Sequence, residues 1–194
     1  MKLHLGCGTV YLNGYINIDG APDYIADVCP PELLNQNTTE FDKYYKQDFG
    51  TSSGCVVADL KHDIRKPLPF LNSSVDEVIM YQVLEHIPNY EVGQLLSDIA
   101  RVLKIGGVFI VSVPDIKKTA KMLVEEKTEI KEDWAIRLIY GTQRNQWSHH
   151  HCGYIPRTLK ALLSQFGFGK FENMPNINCY PVIHIKAVMD KNMT

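Results

Sequence analysis

Short apolar runs of strand length alternate along this chain with stretches of helical period. Lys2-Leu3-His4-Leu5 predicts a strand that runs into Gly6-Cys7-Gly8, and Tyr15-Ile16-Asn17-Ile18 a second that ends on Asp19-Gly20. Cys55-Val56-Val57-Ala58 predicts a third, and Asp76–Tyr81 a fourth. Val92, Leu95, Leu96, Ile99, Val102 and Leu103 recur at i, i+3, i+4, i+7, i+10 and i+11, which predicts one apolar helix face over 91–104, with Gly106-Gly107 as its stop. Val108–Val113 is apolar almost throughout and is closed by Pro114, the pattern of a strand buried on both faces. Helices over about 116–126 and 131–140 follow. Pro156 opens another, with Leu159, Leu162, Leu163 and Phe166 on one face and Gly167 at its end. Lys170–Met174 and Val182–Met189 predict a terminal strand pair.

Alternating strands and helices predict an α/β fold: a doubly wound, Rossmann-like, mostly parallel sheet with an antiparallel C-terminal strand. Two stretches break the pattern. A parallel crossover usually takes a dozen or more residues, yet only residues 7–14 separate the first two strands. Either that crossover has collapsed to a single turn or the second strand lies elsewhere. Residues 21–54 carry little periodicity beyond one short helix near Glu32–Leu34, and form an irregular insertion in a single domain over 1–194. They hold Tyr24, Phe41, Tyr44, Tyr45 and Phe49. A plain linker buries nothing and seldom keeps so many aromatics, so part of the insertion is expected to cover the crevice as a mobile lid.

With 194 residues, 45% of them hydrophobic, the chain is long enough for a core without covalent staples. Lys plus Arg is 20 against 22 for Asp plus Glu, and a formal charge of -2 disfavours a nucleic-acid partner. Five widely spaced cysteines with no C-x-x-C argue against a disulfide framework or a four-cysteine zinc site and point to the cytoplasm. The longest apolar runs fall well short of the roughly 20 residues of a membrane span, so no membrane association is expected.

Glycines after a first strand permit a tight turn and close backbone approach to a ligand. A dinucleotide fingerprint would place a third glycine where Tyr11 stands and an acid later than Asp19, which counts against a nicotinamide cofactor. Asp19, closing the second strand, suits a pair of ribose hydroxyls. Asp63 suits an exocyclic amine, with Ile64 packed on the ring. His149-His150-His151-Cys152 invites a metal reading, but neighbours in extended chain point to alternate sides, and no metal is expected. The loop around them reads as substrate-facing, with Trp147 and Tyr154 as aromatic walls.

Leu3-His4-Leu5-Gly6-Cys7-Gly8 and Gly14-Tyr15-Ile16-Asn17-Ile18-Asp19 together resemble the opening of class I S-adenosylmethionine-dependent methyltransferases. The resemblance continues through Asp63–Phe70, Asn72–Asp76, Val83–Pro88, Arg101–Gly107 and Ser112–Asp115. It closes on His150, Gly153 and Tyr154 and the helix ending on Gly167-Phe168. It covers nearly the whole chain except residues 21–54, and its weight lies in the order and spacing of the motifs. It implies that Gly6, Cys7 and Gly8 line the amino-acid part of S-adenosyl-L-methionine, that Asp19 binds the ribose, and that Asp63 and Ile64 meet the adenine. Gln82 and Val83 would then floor the site near the sulfonium. The acceptor would be a small molecule or a glycan, with His86 and His150 as candidate catalytic bases. The chain departs from the family in lacking a long first crossover helix and in carrying the 21–54 insertion. The alternatives are a nicotinamide-dependent oxidoreductase and a non-catalytic S-adenosylmethionine-binding module of the same fold.

Overall fold

The computed structural model describes residues 1–44, 54–125, 129–176, 178 and 180–190. Tyr45, Phe49, Cys179 and Asn192 lie outside them. The principal strands are β1 (Lys2–Leu5), β2 (Ile16–Asp19), β3 (Leu60–Lys61), β4 (Val75–Tyr81), β5 (Leu103–Pro114), β6 (Phe168–Asn173) and β7 (Val182–Met189). They form one sheet in the order β6-β7-β5-β4-β1-β2-β3. The ladders from β3 through β5 are parallel, and β7 inserts antiparallel between β5 and β6. The expected sheet class and its antiparallel C-terminal strand are both present. Strand order reverses between β1 and β4, which puts the ligand crevice of such a sheet at their carboxyl ends. The principal helices are α1 (Asn89–Val102), α2 (Ile116–Val124), α3 (Glu129–Tyr140) and α4 (Pro156–Gln165). No helix among the described residues is long and apolar enough to cross a membrane.

Side chains alternate across the sheet, as the pleat requires. Leu3, Leu5, Val78, Met80, Phe109 and Val111 pack with Leu95, Leu96 and Ile99 of α1 and Leu159 and Leu163 of α4. Ile79, Tyr81 and Ile110 form a second cluster with Val10, Leu12, Tyr15 and Tyr44, against which Phe41 packs. Tyr44 also meets the ring of Tyr81 with centroids 4.7 Å apart and that of His4 at 5.9 Å. Core packing thus accounts for two of the aromatics that suggested a lid. The described part of the 21–54 segment is ordered by a helix, Pro31–Asn37, and by two short parallel ladders. Tyr11–Leu12 pairs with Thr38–Thr39, and Tyr24–Ile25 with Val57–Ala58.

Two boundaries differ from the sequence reading. Val57–Ala58 does not join the main sheet; Leu60–Lys61 does, because Asp59 between them turns its carboxylate onto Asn17. Gly106-Gly107 does not stop the helix, which ends at Val102. The pair lies in a register shift within β5, with Gly106 at φ +81°.

The β1–β2 crossover has collapsed to a loop, and β1 and β2 are parallel neighbours with Leu3 beside Ile16. Asn17, fully buried, holds that loop. Its Oδ1 accepts from Leu12 N at 2.9 Å and from His4 Nδ1 at 3.0 Å. Its Nδ2 donates to Leu12 O, Tyr15 O and Asp59 Oδ2 at 3.1–3.2 Å. Asp59 in turn accepts from Asn17 N at 2.7 Å and from the Tyr11 hydroxyl.

Asn17→Ala removes these bonds and strands buried backbone groups of the loop, so it should destabilise the protein by about 2–4 kcal/mol in urea unfolding. Asn17→Asp, which keeps the shape but loses both donors and faces Asp59, should do comparable damage; a loss under about 0.5 kcal/mol in both would mean the loop is held elsewhere. His4 is fully buried, and desolvation pulls its pKa down from 6.5 to about 4 against the opposing pull of the Asn17 bond. The folded state therefore keeps His4 neutral where the unfolded chain takes a proton. Its contribution is fully present above pH 6.5 and is lost as pH falls toward 4, by about 3 kcal/mol. Unfolding midpoints of His4→Leu should show a correspondingly flatter acid limb than the parent.

Candidate active site

The loop leaving β1 lies at the topological switch point. Gly6 has φ +65° and Gly8 φ +53°, conformations that a side chain rarely tolerates. A Cβ on Gly6 would also stand 2.5 Å from Val83 Cγ2, so Val83 occupies the space that any side chain there would need. Nothing lies within 4 Å of the same position on Gly8, which leaves its backbone open. Between them Cys7 N donates to Ile18 O at 3.0 Å, and the buried thiol donates to Val57 O at 3.4 Å. Burial, with Asp19 and Asp59 nearby, raises the thiol's pKa far above its ordinary value, so Cys7 is not a nucleophile.

Two clefts meet at this loop. The first, about 270 Å³, is lined by Gly6, Asp19, Asp63, Ile64, Gln82 and Val83, and on its far side by His86, Gln146, Trp147 and His151. The second, about 250 Å³, is lined by Gly6, Cys7, Gly8, Tyr44, Tyr81 and Gln82, among others. They share Gly6 and Gln82. The structure therefore gathers all eight sequence-derived cofactor candidates around one pair of adjoining clefts at the carboxyl ends of β1, β2 and β4.

Asp19, at the end of β2, is oriented by two backbone donors: Gly8 N to Oδ2 and Ala21 N to Oδ1, each at 3.0 Å. Asp63 is engaged differently from the sequence expectation. Both its oxygens are held by Arg65, with Nε on Oδ1 at 2.9 Å and Nη2 on Oδ2 at 2.7 Å, and this bond pulls its pKa below the usual carboxylate range. The Arg65 guanidinium lies over the Trp147 ring, 4.9 Å from its centroid. Asp63, Arg65 and Trp147 thus make a clasp across the cleft mouth. Gln82 has φ +54°, the left-handed region, and is fixed there by bonds from its N to Ser112 O at 2.8 Å and from Nε2 to Ser112 Oγ at 3.1 Å.

A single 3-10 turn, Leu84–His86, follows β4 and carries the first of the two candidate histidines. The His86 ring lines the first cleft, and its Nδ1 donates to His149 O at 3.0 Å. His150 lies behind it, the two rings edge to face with centroids 4.6 Å apart, and its Nδ1 donates to Leu138 O at 2.9 Å. Desolvation, reinforced by the neighbouring histidine His150, holds His86 down at about 4, and desolvation also lowers His150. Both imidazoles are neutral at pH 7. Glu85, almost wholly buried, is pushed up to about 8 by desolvation. Its backbone carbonyl accepts from His151 N at 2.7 Å and Cys152 N at 3.2 Å, which fastens the histidine loop to the end of β4.

His86 and His150 do meet, but only His86 faces a cleft; the cleft-lining member of the histidine run is His151. Trp147 is a wall as expected. Tyr154 is not, because it is 6% exposed and packs in the main core. Arg65, Gln146 and His151 escaped the sequence reading. Arg65 had a signal, being two residues from Asp63 and able to reach it; Gln146 and His151 lay on the loop read as substrate-facing, but nothing in the sequence singled them out from their neighbours.

The description "Methyltransferase domain" belongs to the family whose model matches residues 3–111, more than half of the chain. A protein of Mycolicibacterium smegmatis named "Probable S-adenosylmethionine-dependent methyltransferase" is 42% identical over 57 residues, which is 29% of this chain and 21% of that protein. This chain therefore matches about a fifth of that curated relative's length. Human N-acetylserotonin methyltransferase, solved in complex with SAM, superposes with a TM-score of 0.53 at 18% identity over 98% of this chain and 47% of that one. A SAM-dependent methyltransferase from Methanosarcina mazei does so with a TM-score of 0.51 at 15% identity over 96% of this chain and 89% of its own. At these identities the superpositions speak for the fold, and the matching model speaks for the family: the chain belongs to the methyltransferase domain family, with the Rossmann-like fold of the class I S-adenosylmethionine-dependent methyltransferases.

Proposed function

We propose that this chain transfers a methyl group from S-adenosyl-L-methionine to a small-molecule or glycan acceptor. The observation that carries the reading is the convergence of Gly6, Asp19, Asp63, Ile64 and Gln82 on adjoining clefts at the switch point. The residues present fit the donor. Asp19 offers a preoriented carboxylate for a ribose, the buried Ile64 an apolar face for adenine, and Gly6–Gly8 a backbone cradle for the amino-acid end. Asp63 would meet the adenine side through an edge shared with Arg65. Net charge and the small size of the cleft favour a compact acceptor over a polyanion.

The donor supplies an activated methyl group on a sulfonium. The protein's task is to align the acceptor with it, and alignment of this kind is worth roughly 7–11 kcal/mol. Gln82, locked on Ser112, and Val83, wedged against Gly6, give the cleft floor a rigid shape. Trp147, Gln146 and His151 form the outer wall that an acceptor would pass. If the acceptor is a hydroxyl, its proton must leave as the carbon–oxygen bond forms and the carbon–sulfur pair returns to sulfur. His86 and His150 are the groups placed to assist, with His86 at the cleft and His150 behind it.

Calorimetry should show S-adenosylhomocysteine bound in the micromolar range. Asp19→Ala should weaken it by about 10–100-fold, the worth of a charge-assisted hydrogen bond. Tighter binding of NAD than of S-adenosylhomocysteine would refute the reading. With a hydroxyl acceptor in hand, His86→Ala should lower turnover by about 10²–10⁴-fold while leaving S-adenosylhomocysteine affinity within about twofold. Near-normal turnover would make His86 a shape-giving residue only.

A further inference from the structure

Glu85, His86 and His150 form a group whose carboxylate the reading above leaves without a role and whose histidines it uses only to assist proton removal. One ligating atom from each comes within 4.8 Å of those of the other two. Both Glu85 carboxylate oxygens are buried with no hydrogen-bond partner, in a side chain that is 1% exposed. Burying a carboxylate without donors is costly, so this one calls for a proton or a cation.

The histidines do not supply the missing donor. A carbonyl oxygen can only accept, so the bonds from His86 Nδ1 to His149 O and from His150 Nδ1 to Leu138 O place the proton of each neutral ring on Nδ1. That leaves Nε2 of each as a lone pair. Two neutral imidazoles, each with one unprotonated ring nitrogen, and a buried carboxylate with no partner beyond its own backbone N–H make an electron-rich group. Metal-ligating histidines are held in this way, with the other ring N–H given to a carbonyl that fixes tautomer and orientation.

We propose that Glu85, His86 and His150 bind a divalent cation of the Zn²⁺ class. Two imidazole nitrogens and one carboxylate oxygen are a recurrent donor set for that ion, in a site of three protein ligands and one open position. Ligands on a tetrahedral ion at about 2.0–2.1 Å stand roughly 3.4 Å apart, so modest side-chain rotations close the group. The sequence reading expected no metal because it considered only the consecutive residues 149–152. The group found here draws on one of these and takes its other two members from the end of β4. Because His86 lines the first cleft, the site borders it. If methyl transfer is the activity, the cation would polarise an oxygen-bearing acceptor and ease release of its proton to solvent, with His86 then acting as a ligand in place of the base; that role rests on the reading above, whereas the binding site does not.

The test uses chelator-stripped protein titrated with Zn²⁺, and separately with Co²⁺ as a spectroscopic probe. Wild type should bind one equivalent of Zn²⁺, and the Co²⁺ form should show the visible d–d bands of a low-coordinate, nitrogen-ligated ion. Glu85→Gln and His150→Ala should each weaken Zn²⁺ by at least about tenfold, and His149→Ala should leave the affinity unchanged. Zn²⁺ should also raise the melting temperature of wild type but not of Glu85→Gln, a near-isosteric variant that tests the site even if the histidine variants fold poorly. Equal Zn²⁺ affinity in wild type, Glu85→Gln and His150→Ala, or no binding by wild type, would overturn the proposal. S-adenosylhomocysteine binding on the same samples separates the two readings. Protein that binds it but not Zn²⁺ loses only the metal site, and protein that binds Zn²⁺ but not S-adenosylhomocysteine loses only methyl transfer.

Discussion

A buried asparagine sets the terms for the rest of this molecule. Two parallel neighbours joined by a loop too short for a helix leave backbone groups inside the protein with no regular partner, and such groups must be satisfied. Asn17 does this from within β2, bonding back to Leu12 and Tyr15, across to His4 on β1, and out to Asp59. The amide is suited to the task because it both donates and accepts, which neither a carboxylate nor an apolar side chain of that size can do. Asp59, drawn in by the same network, divides the segment before β3 and decides which part of it joins the sheet.

The consequence is carried to the ligand face. With β1 and β2 locked side by side, their ends present Gly6–Gly8 and Asp19 as one surface, and Gly8 N orients the Asp19 carboxylate. β4 adds Val83 against Gly6 and Gln82 between the two clefts. The floor is therefore made of residues whose positions are over-determined. The mouth is made of a charge-assisted pair, Asp63 and Arg65, stacked on an exposed tryptophan.

The Glu85–His86 turn and the histidine loop are governed by burial. Without a cation bound, desolvation pushes Glu85 toward its acid form and His86 and His150 toward their neutral forms, so three ionisable groups share a small volume. The histidine loop is tied there by backbone bonds onto the Glu85 carbonyl, and by the rings' own bonds to His149 and Leu138. Position is thus set by hydrogen bonds and protonation by burial, the former opposing the latter in part.

The sequence by itself determined the order of strands and helices, the glycine turn after β1, the acid closing β2 and the motifs of the family, because these depend on period, on turn chemistry and on short spacings along the chain. It also left two readings of the first crossover, a collapse to a single turn or a second strand lying elsewhere. Tertiary structure alone decided what filled that gap. Asn17 reads as an ordinary strand residue until Leu12, His4 and Asp59 surround it, and Phe41 and Tyr44 read as lid aromatics until the sheet face they pack on is in place. The same holds for the site. Asp63 was legible as a cleft residue, but its engagement by Arg65 under Trp147 depends on a loop some eighty residues away. Glu85 and His86 were visible as neighbours, yet their meeting with His150 spans 64 positions. Local pattern specifies backbone conformation; which buried polar groups share a volume follows from the packing of distant elements, and no period in the sequence records it.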